Sequence, residues 1–207
     1  MVEGGTLVVD EEKVMMISNI AQLYQNYITM LHRYERDSLT GLMNRHSFER
    51  QVDVLHQVHA YSYYIAMIDV DHFKKVNDTY GHLFGDDVLI LIAKKLKEFF
   101  GAANFRHLFR FGGEEFVVLL EGDHVTAFDS MDRYRSLVEE TDFPGVGQVT
   151  LSVGLASIDP EQPIVRSIDR ADQALYEAKG GGRNRVVMYD DSQEESGTIE
   201  EGELTLF

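Results

Sequence analysis

Two stretches of this chain place carboxylates where packing alone gives no reason for them. The first reads Arg110-Phe111-Gly112-Gly113-Glu114-Glu115-Phe116. Runs rich in β-formers flank it, Phe105 to Phe109 before and Val117 to Leu120 after. Two such runs around a Gly-Gly pair predict a tight hairpin, and the paired glycines allow positive φ at both turn positions. The glycines also leave no Cβ in the way, so a large anion can approach the backbone. Glu114 and Glu115 then stand together at a hairpin tip and repel each other, a cost that a bound cation removes. The alternative is an ordinary solvated turn. The second stretch runs from Asp69 to Asp78, where the apolar segment Tyr63 to Val70 passes into a helix. Asp69 ends an otherwise apolar strand and is read as a metal ligand. Asp71 and Asp78 are read as helix caps. If this strand pairs with the hairpin, Asp69 approaches Glu114 or Glu115. Three carboxylates with no lysine among them call for a divalent cation.

Composition narrows which cation that is. The chain has 207 residues, is 44% hydrophobic and contains no Cys. That suffices for one core, with residues left for a stalk or tail. Without thiolates, a metal must be held by Asp, Glu, His or backbone carbonyls, and oxygen ligands suit Mg²⁺, Mn²⁺ or Ca²⁺. The net charge is -16, and the tail from Asp190 contributes seven acidic residues and no basic one. Such a surface predicts no nucleic-acid partner and no membrane contact, and it requires a metal or a local basic cluster for any anionic ligand. With no signal peptide and no apolar run near 18 residues, a soluble, cytoplasmic chain is expected.

The elements that must position these groups follow from periodicity. Residues 1–10 carry no pattern and read as a disordered leader. Residues 11–36 lack Gly and Pro, and Ile17, Ile20, Tyr24, Tyr27, Leu31 and Tyr34 repeat at 3-4-3-4-3 spacing. This amphipathic helix either packs on its own domain or forms a dimerising stalk. Asp37 to Arg45 is a turn-rich break, after which Asn44 caps a helix to about His59. Further helices are expected to about Asp78, from about Asp86 to Phe100, at about 124–140 and from Ile164 to Lys179. Strands are expected at Tyr63–Val70, around the hairpin, at Val149–Ala156 and at Arg185–Met188. Strands alternating with helices around one hairpin predict an α+β fold of ferredoxin-like, palm type: a central antiparallel sheet flanked by helices. The folded domain is expected over 37–189, with an acidic tail at 190–207.

Five motifs in order resemble the GGDEF-domain diguanylate cyclases, here in the Gly-Gly-Glu-Glu-Phe form. They are Asp37-x-Leu39-Thr40-Gly41-Leu42-x-Asn44-Arg45, Asp69-x-Asp71-x-Phe73-Lys74-x-x-Asn77-Asp78, Gly81-His82-x-x-Gly85-Asp86, Arg110 to Phe116, and Ala174-Leu175-Tyr176-x-Ala178-Lys179-x-x-Gly182-Arg183-Asn184. The resemblance implies condensation of two GTP into cyclic di-GMP with release of two pyrophosphates. It implies two Mg²⁺ or Mn²⁺ per active site, held by Asp69, the Val70 carbonyl, Glu114 and Glu115. Glu114 is also the base implied for the ribose 3′-hydroxyl. The residues alone do not separate base from ligand, because neighbours on a strand face opposite ways. Asn77 and Asp86 would read guanine, and Asp86 can also cap its helix. Backbone N–H groups of His72 and Phe73, with Lys74, would cradle the terminal phosphates, and Lys74 would also stabilise transition-state charge. Lys179 and Arg183 would add phosphate contacts. His82 would line the pocket, or serve as a plain turn histidine.

The resemblance also implies a homodimer, since each domain holds one GTP and the two 3′-hydroxyls attack across a two-fold axis. Many relatives carry an Arg-x-x-Asp product-inhibition motif, but here the corresponding residues are Ala103-Asn104-Phe105-Arg106. Neither end matches, so product inhibition through that site is not expected. Two other classes remain, an inactive nucleotide-binding copy and a structural scaffold. Mg²⁺-dependent pyrophosphate release separates the enzyme from both.

Overall fold

The computed structural model describes residues 10–57, 63–101 and 107–190. Residues 1–9 of the leader, the end of the second helix toward His59, Ala103 to Arg106 and the tail beyond Asp190 lie outside the described residues, while Asp10, read as the leader's last residue, caps α1 by accepting from the Lys13 N–H. Helix α1 (Glu11–Glu35) is followed by β1 (Met43–Asn44), α2 (Arg45–Gln57), β2 (Tyr63–Val70), α3 (Phe73–Tyr80) and α4 (His82–Phe100). Then come β3 (Leu108–Gly112), β4 (Glu115–Glu121), α5 (His124–Glu139), β5 (Asp142–Phe143), β6 (Gly147–Gln148), β7 (Leu151–Ser157), α6 (Ile164–Gly180) and β8 (Val186–Met188). Six strands form one sheet in the order β1-β3-β4-β2-β7-β8. The inner four are antiparallel, while β1 pairs with β3 and β8 with β7 in parallel, so the sheet is mixed at its rims.

Period-2 alternation sorts the strands between two layers. Ala66, Ile68 and Val70 of β2, with Phe116, Val118 and Leu120 of β4, pack on one face against Val88, Leu89 and Ile92 of α4 and Met131 and Tyr134 of α5. Ile65 and Met67, with Val117 and Leu119, pack on the other against Phe48 and Val52 of α2 and Ala171 and Leu175 of α6. By the same alternation, Asp69 and Glu115 belong to the α2–α6 face. Gly154 on β7 permits a close approach there: a Cβ at that position would stand 2.2 Å from both the Ala171 carbonyl oxygen and the Leu175 nitrogen. Helix α6 is therefore seated backbone against backbone on the sheet.

Helix α1 does not fold its apolar seam onto this body. Ile17, Ile20, Tyr24, Tyr27 and Tyr34 are all more than half exposed. Its end is nonetheless fastened. The Asn44 side chain donates to the Tyr34 carbonyl at 2.6 Å, Ser47 Oγ donates to the Glu35 carbonyl at 2.9 Å, and Arg50 pairs with Glu35 at 2.9 Å. Asn44 also caps α2 as expected, accepting from the Ser47 N–H at 3.0 Å.

Several sequence expectations need correction. Asp71 and Asp78 cap nothing: α3 starts after His72, which takes a left-handed φ of 58°, and Asp78 lies inside the helix. Helix α4 begins at His82, just after Gly81 with φ 89°, so Asp86 sits within the helix and is not its N-cap. The hairpin turn is Gly113-Glu114, because Gly112 remains in β3 opposite Glu115 after a bulge at Phe111. Only Gly113 of the pair has a positive φ, 37°. The two-residue strand β1 and the small β5–β6 hairpin give too little periodicity to be read from sequence.

Candidate active site

The carboxylates meet through strand pairing. Asp69, next to last in β2, stands opposite Glu115, the first residue of β4, and the Val70 N–H donates to the Glu114 carbonyl at 3.3 Å. Glu115 thus comes from the strand and Glu114 from the turn, which is how adjacent residues both reach one end of the sheet. The ion that faces them is Lys179, in the last turn of α6. Its Nζ lies 2.8 Å from Asp69 Oδ2. This corrects the expectation of a cluster without lysine. Asp69 is only 7% exposed.

Electrostatics follow from burial and crowding. Burial raises the Asp69 pKa above the ordinary aspartate value; Lys179 and Arg183 oppose the rise, and Asp71 adds to it. Burial also raises Glu114 and Glu115, and the Asp69 charge pushes both further, with Lys179 opposing in each case. Three carboxylates that all resist ionisation make a site that gains from added positive charge. The donors are hard oxygens, which fit Mg²⁺ or Mn²⁺. Among the described residues, however, no three acidic or histidine groups converge into a ready-made ligand cage. The ammonium of Lys179 supplies the local counter-charge.

The other expected residues stand on α3, α4 and the loop after α6. His72 and Phe73 open α3, with Phe73 buried and Lys74 exposed in the first turn. Asn77 lies against Gly85: a Cβ at residue 85 would meet Asn77 Oδ1 and the Phe73 ring, so only glycine lets α3 and α4 close at this elbow. Asp86 follows immediately, exposed, and His82 is exposed at the start of α4. Arg183 is exposed and has a φ of 63°. The structure thus gathers Asp69, Val70, Glu114, Glu115 and Lys179, with Arg183 within electrostatic reach. Among the described residues, no hydrogen bond or ion pair joins Lys74, His82 or Asp86 to the carboxylates.

Arg110 and Asp37, which the sequence reading left without a role, and Asp71, which it read as a helix cap, hold this arrangement. Arg110 donates to the Gly113 carbonyl from Nε at 3.2 Å and from Nη2 at 2.8 Å, and its Nη1 donates to Asp37 Oδ1 at 3.0 Å. One guanidinium therefore joins the Gly113-Glu114 turn to the loop that follows α1. Asp37 also accepts from the Thr40 N–H at 2.8 Å and the Thr40 hydroxyl at 2.7 Å. Burial tends to raise its pKa, but these bonds and Arg110 hold it below the ordinary value. The Asp-x-x-Thr spacing was the signal, as a local side-chain-to-backbone turn. Asp71, 4% exposed, accepts from Thr150 Oγ1 and Ser152 Oγ, both at 2.7 Å, and from the Asn184 N–H at 3.0 Å. It ties the loop carrying Arg183 to the end of β2. A groove of about 320 Å³ beside Asp71 is lined by His72, Lys75, Val76 and Thr79 of the α3 segment and by Val149, and holds none of the three clustered carboxylates.

Diguanylate cyclase DgcM of Escherichia coli strain K12 is 33% identical over 190 residues, which is 89% of this chain and 46% of the relative. The chain therefore spans about half the length of that curated relative. The solved coiled coil and GGDEF domain of DgcB from Caulobacter crescentus, in complex with c-di-GMP, superposes with a TM-score of 0.78 at 26% identity, covering 86% of this chain and 97% of that one. Diguanylate cyclase SiaD from Pseudomonas aeruginosa, solved with its activator SiaC, gives 0.71 at 34% identity over 86% of this chain and 71% of that one. Residues 34–185 match the family described as "Diguanylate cyclase, GGDEF domain", and with so much of the fold and sequence shared, this chain belongs to the GGDEF-domain diguanylate cyclase family.

Proposed function

We propose that this chain condenses two GTP molecules into cyclic di-GMP and releases two pyrophosphates. The observation that carries the reading is the pairing of Asp69 with Glu115 beside the Gly113-Glu114 turn, with Lys179 against them. This sets acidic ligands and a phosphate-seeking cation at one end of the sheet. Two Mg²⁺ or Mn²⁺, held by Asp69, the Val70 carbonyl, Glu114 and Glu115, would acidify the 3′-hydroxyl and offset charge on the pyrophosphate.

The chain's own groups do the rest. Glu114 takes the proton from the ribose 3′-hydroxyl. The freed oxygen forms a bond to the α-phosphorus of the other GTP, and the bond from that phosphorus to the β-phosphate bridging oxygen breaks. Lys74, Lys179 and Arg183, with the His72 and Phe73 N–H groups, hold the phosphates and the departing charge. Asn77 and Asp86 bind guanine at the α3–α4 elbow. Asp86 accepts from the N1–H and N2–H edge, which adenine lacks, and His82 lines the same pocket. Each domain binds one GTP, so the productive unit is a homodimer, and the exposed seam of α1 is the stalk that brings the halves together. The cytoplasm, where GTP is available, is the compartment this reaction needs. Among the described residues no helix is long and apolar enough to cross a membrane.

The test is to incubate the purified chain with GTP and Mg²⁺ and separate the products by chromatography, alongside Glu115→Ala and Asp69→Asn. Cyclic di-GMP from the parent and none from either variant is the expected result. GTP left intact by a dimeric parent refutes the reading. Lacking Arg-x-x-Asp, the chain is also proposed to escape product inhibition, and tight calorimetric binding of a cyclic di-GMP dimer outside the active site would overturn that.

A further inference from the structure

Lys179 is assigned to phosphate by resemblance, yet here it is spent on a carboxylate. Its Nζ lies 2.8 Å from Asp69 Oδ2, and Asp69 itself stands opposite Glu115 across the paired strands. No ready-made cage of three ligands exists among the described residues. We propose that the Lys179 ammonium is the resident counter-ion of this cluster in the nucleotide-free chain, holding the place at Asp69 that a divalent cation requires and leaving it for the triphosphate when nucleotide arrives. The proposal rests on the reading of Asp69, Glu114 and Glu115 as metal-holding groups.

The fold makes this exchange a side-chain event. Helix α6 is clamped to β7 at Gly154, so the helix cannot withdraw. The Lys179 side chain is 34% exposed and its four-carbon stem can swing out, carrying a compact point charge that suits either partner. Burial is unfavourable for Asp69 ionised and alone, so the carboxylate keeps one cation or another at all times. An ammonium that competes with a divalent ion at Asp69, and that nucleotide draws away, couples the two ligands. Metal binds weakly before nucleotide and tightly with it, and by reciprocity nucleotide binds more tightly with metal. The cluster is thereby kept from holding a metal that has no substrate to act on.

The experiment is an Mn²⁺ titration of the whole chain followed by electron paramagnetic resonance. The parent, Lys179→Met and Asp69→Asn are each measured without nucleotide and with GTP lacking its 3′-hydroxyl, which cannot react. Without nucleotide, Lys179→Met binds Mn²⁺ at least about tenfold more tightly than the parent, as expected when a unit charge beside a carboxylate is worth one pKa unit or more. Adding nucleotide tightens Mn²⁺ on the parent more than on Lys179→Met. Asp69→Asn removes the tight site. Equal or weaker Mn²⁺ binding by Lys179→Met, with Asp69→Asn still weakening the parent, overturns the counter-ion role and leaves the metal site standing. No Asp69-dependent Mn²⁺ binding in either state overturns both together. Lys179→Gln, which keeps a polar side chain, repeats the comparison if the Met variant does not fold.

Discussion

Gly154→Ala tests how tightly the site depends on the seating of α6. The added methyl carbon would lie 2.2 Å from the Ala171 carbonyl oxygen and the Leu175 nitrogen and 2.8 Å from the Leu175 Cα. All three are backbone atoms of one helix, so no side chain can rotate to make room. Restoring ordinary contact at 3.4 Å requires about 1.2 Å of separation between α6 and β7. Overpacking of this kind costs about 1–3 kcal/mol. For a domain of this size that lowers the melting midpoint by roughly 2–12 °C. The same shift moves Lys179 relative to Asp69, a pair now 2.8 Å apart. Misplacement by about 1 Å can cost on the order of a hundredfold in rate. Scanning calorimetry and cyclic di-GMP production, measured on the same preparation, give both numbers. Gly180→Ala is the internal control: it lies in α6 with nothing within 4 Å of its added Cβ. It should leave stability unchanged or raise it by up to about 1 kcal/mol. A Gly154→Ala chain that melts with the parent and turns over at the parental rate would refute the clamp.

Glu115→Gln should stabilise the metal-free domain. Its pKa is raised in the fold, first by burial and then by Asp69, so the ionised form is the disfavoured one. For all three raised carboxylates the stability penalty stands above their folded pKa values. It is relieved as pH falls through them, and is gone below the ordinary carboxylate range of about 4. Thermal melts in EDTA should therefore show Glu115→Gln above the parent by roughly 1–2 °C at pH 7 and equal to it in acid; a lower midpoint at pH 7 contradicts the sign. Arg110→Ala releases both Asp37 and the Gly113 carbonyl and should lower urea-unfolding stability by about 1–2 kcal/mol. Asp37 has a depressed pKa, so the Arg110-dependent increment should fade as pH drops through it, and a gap that persists in acid would count against the ion pair. Asp86→Ala should weaken GTP binding by roughly tenfold or more, about 1–3 kcal/mol for a paired base-edge contact, while ATP binding stays where it was. Calorimetric titration of both nucleotides decides this, and equal losses for GTP and ATP would remove Asp86 from guanine recognition.

The parts of the fold governed by local pattern were legible from the residues. The run Tyr63 to Val70 is β2 residue for residue, because a strand buried on both faces is a continuous apolar segment. Asp69 stood out because it interrupts that run. The parts governed by distant partners were not legible. Lys179 joins Asp69 across 110 positions of sequence, so the cluster looked uncompensated. Asp71 looked like a cap because a strand precedes it and a helix follows. Its actual partners come from β7 (Ser152), from the residue just before it (Thr150) and from the loop before β8 (Asn184). Helix α4 starts at His82, four residues before the expected Asp86, because only Gly81 separates it from α3. Gly85 sits in the helix so that Asn77 can lie where a Cβ would be. The Gly-Gly turn was displaced by one residue because a bulge is set by cross-strand register, which a single strand does not encode.

The two rims of the sheet carry a consequence for how such a molecule lives among its own copies. Strand β1 has two residues and β8 has three, and both run parallel to their neighbours. Rims this short offer almost no row of free amides and carbonyls for another chain to zip onto. The proposed reaction, in which two domains would face each other, part and meet again, would put copies in repeated close contact. Blunt rims would leave those encounters to helices and side chains, so that meeting would stay reversible and not ripen into aggregation.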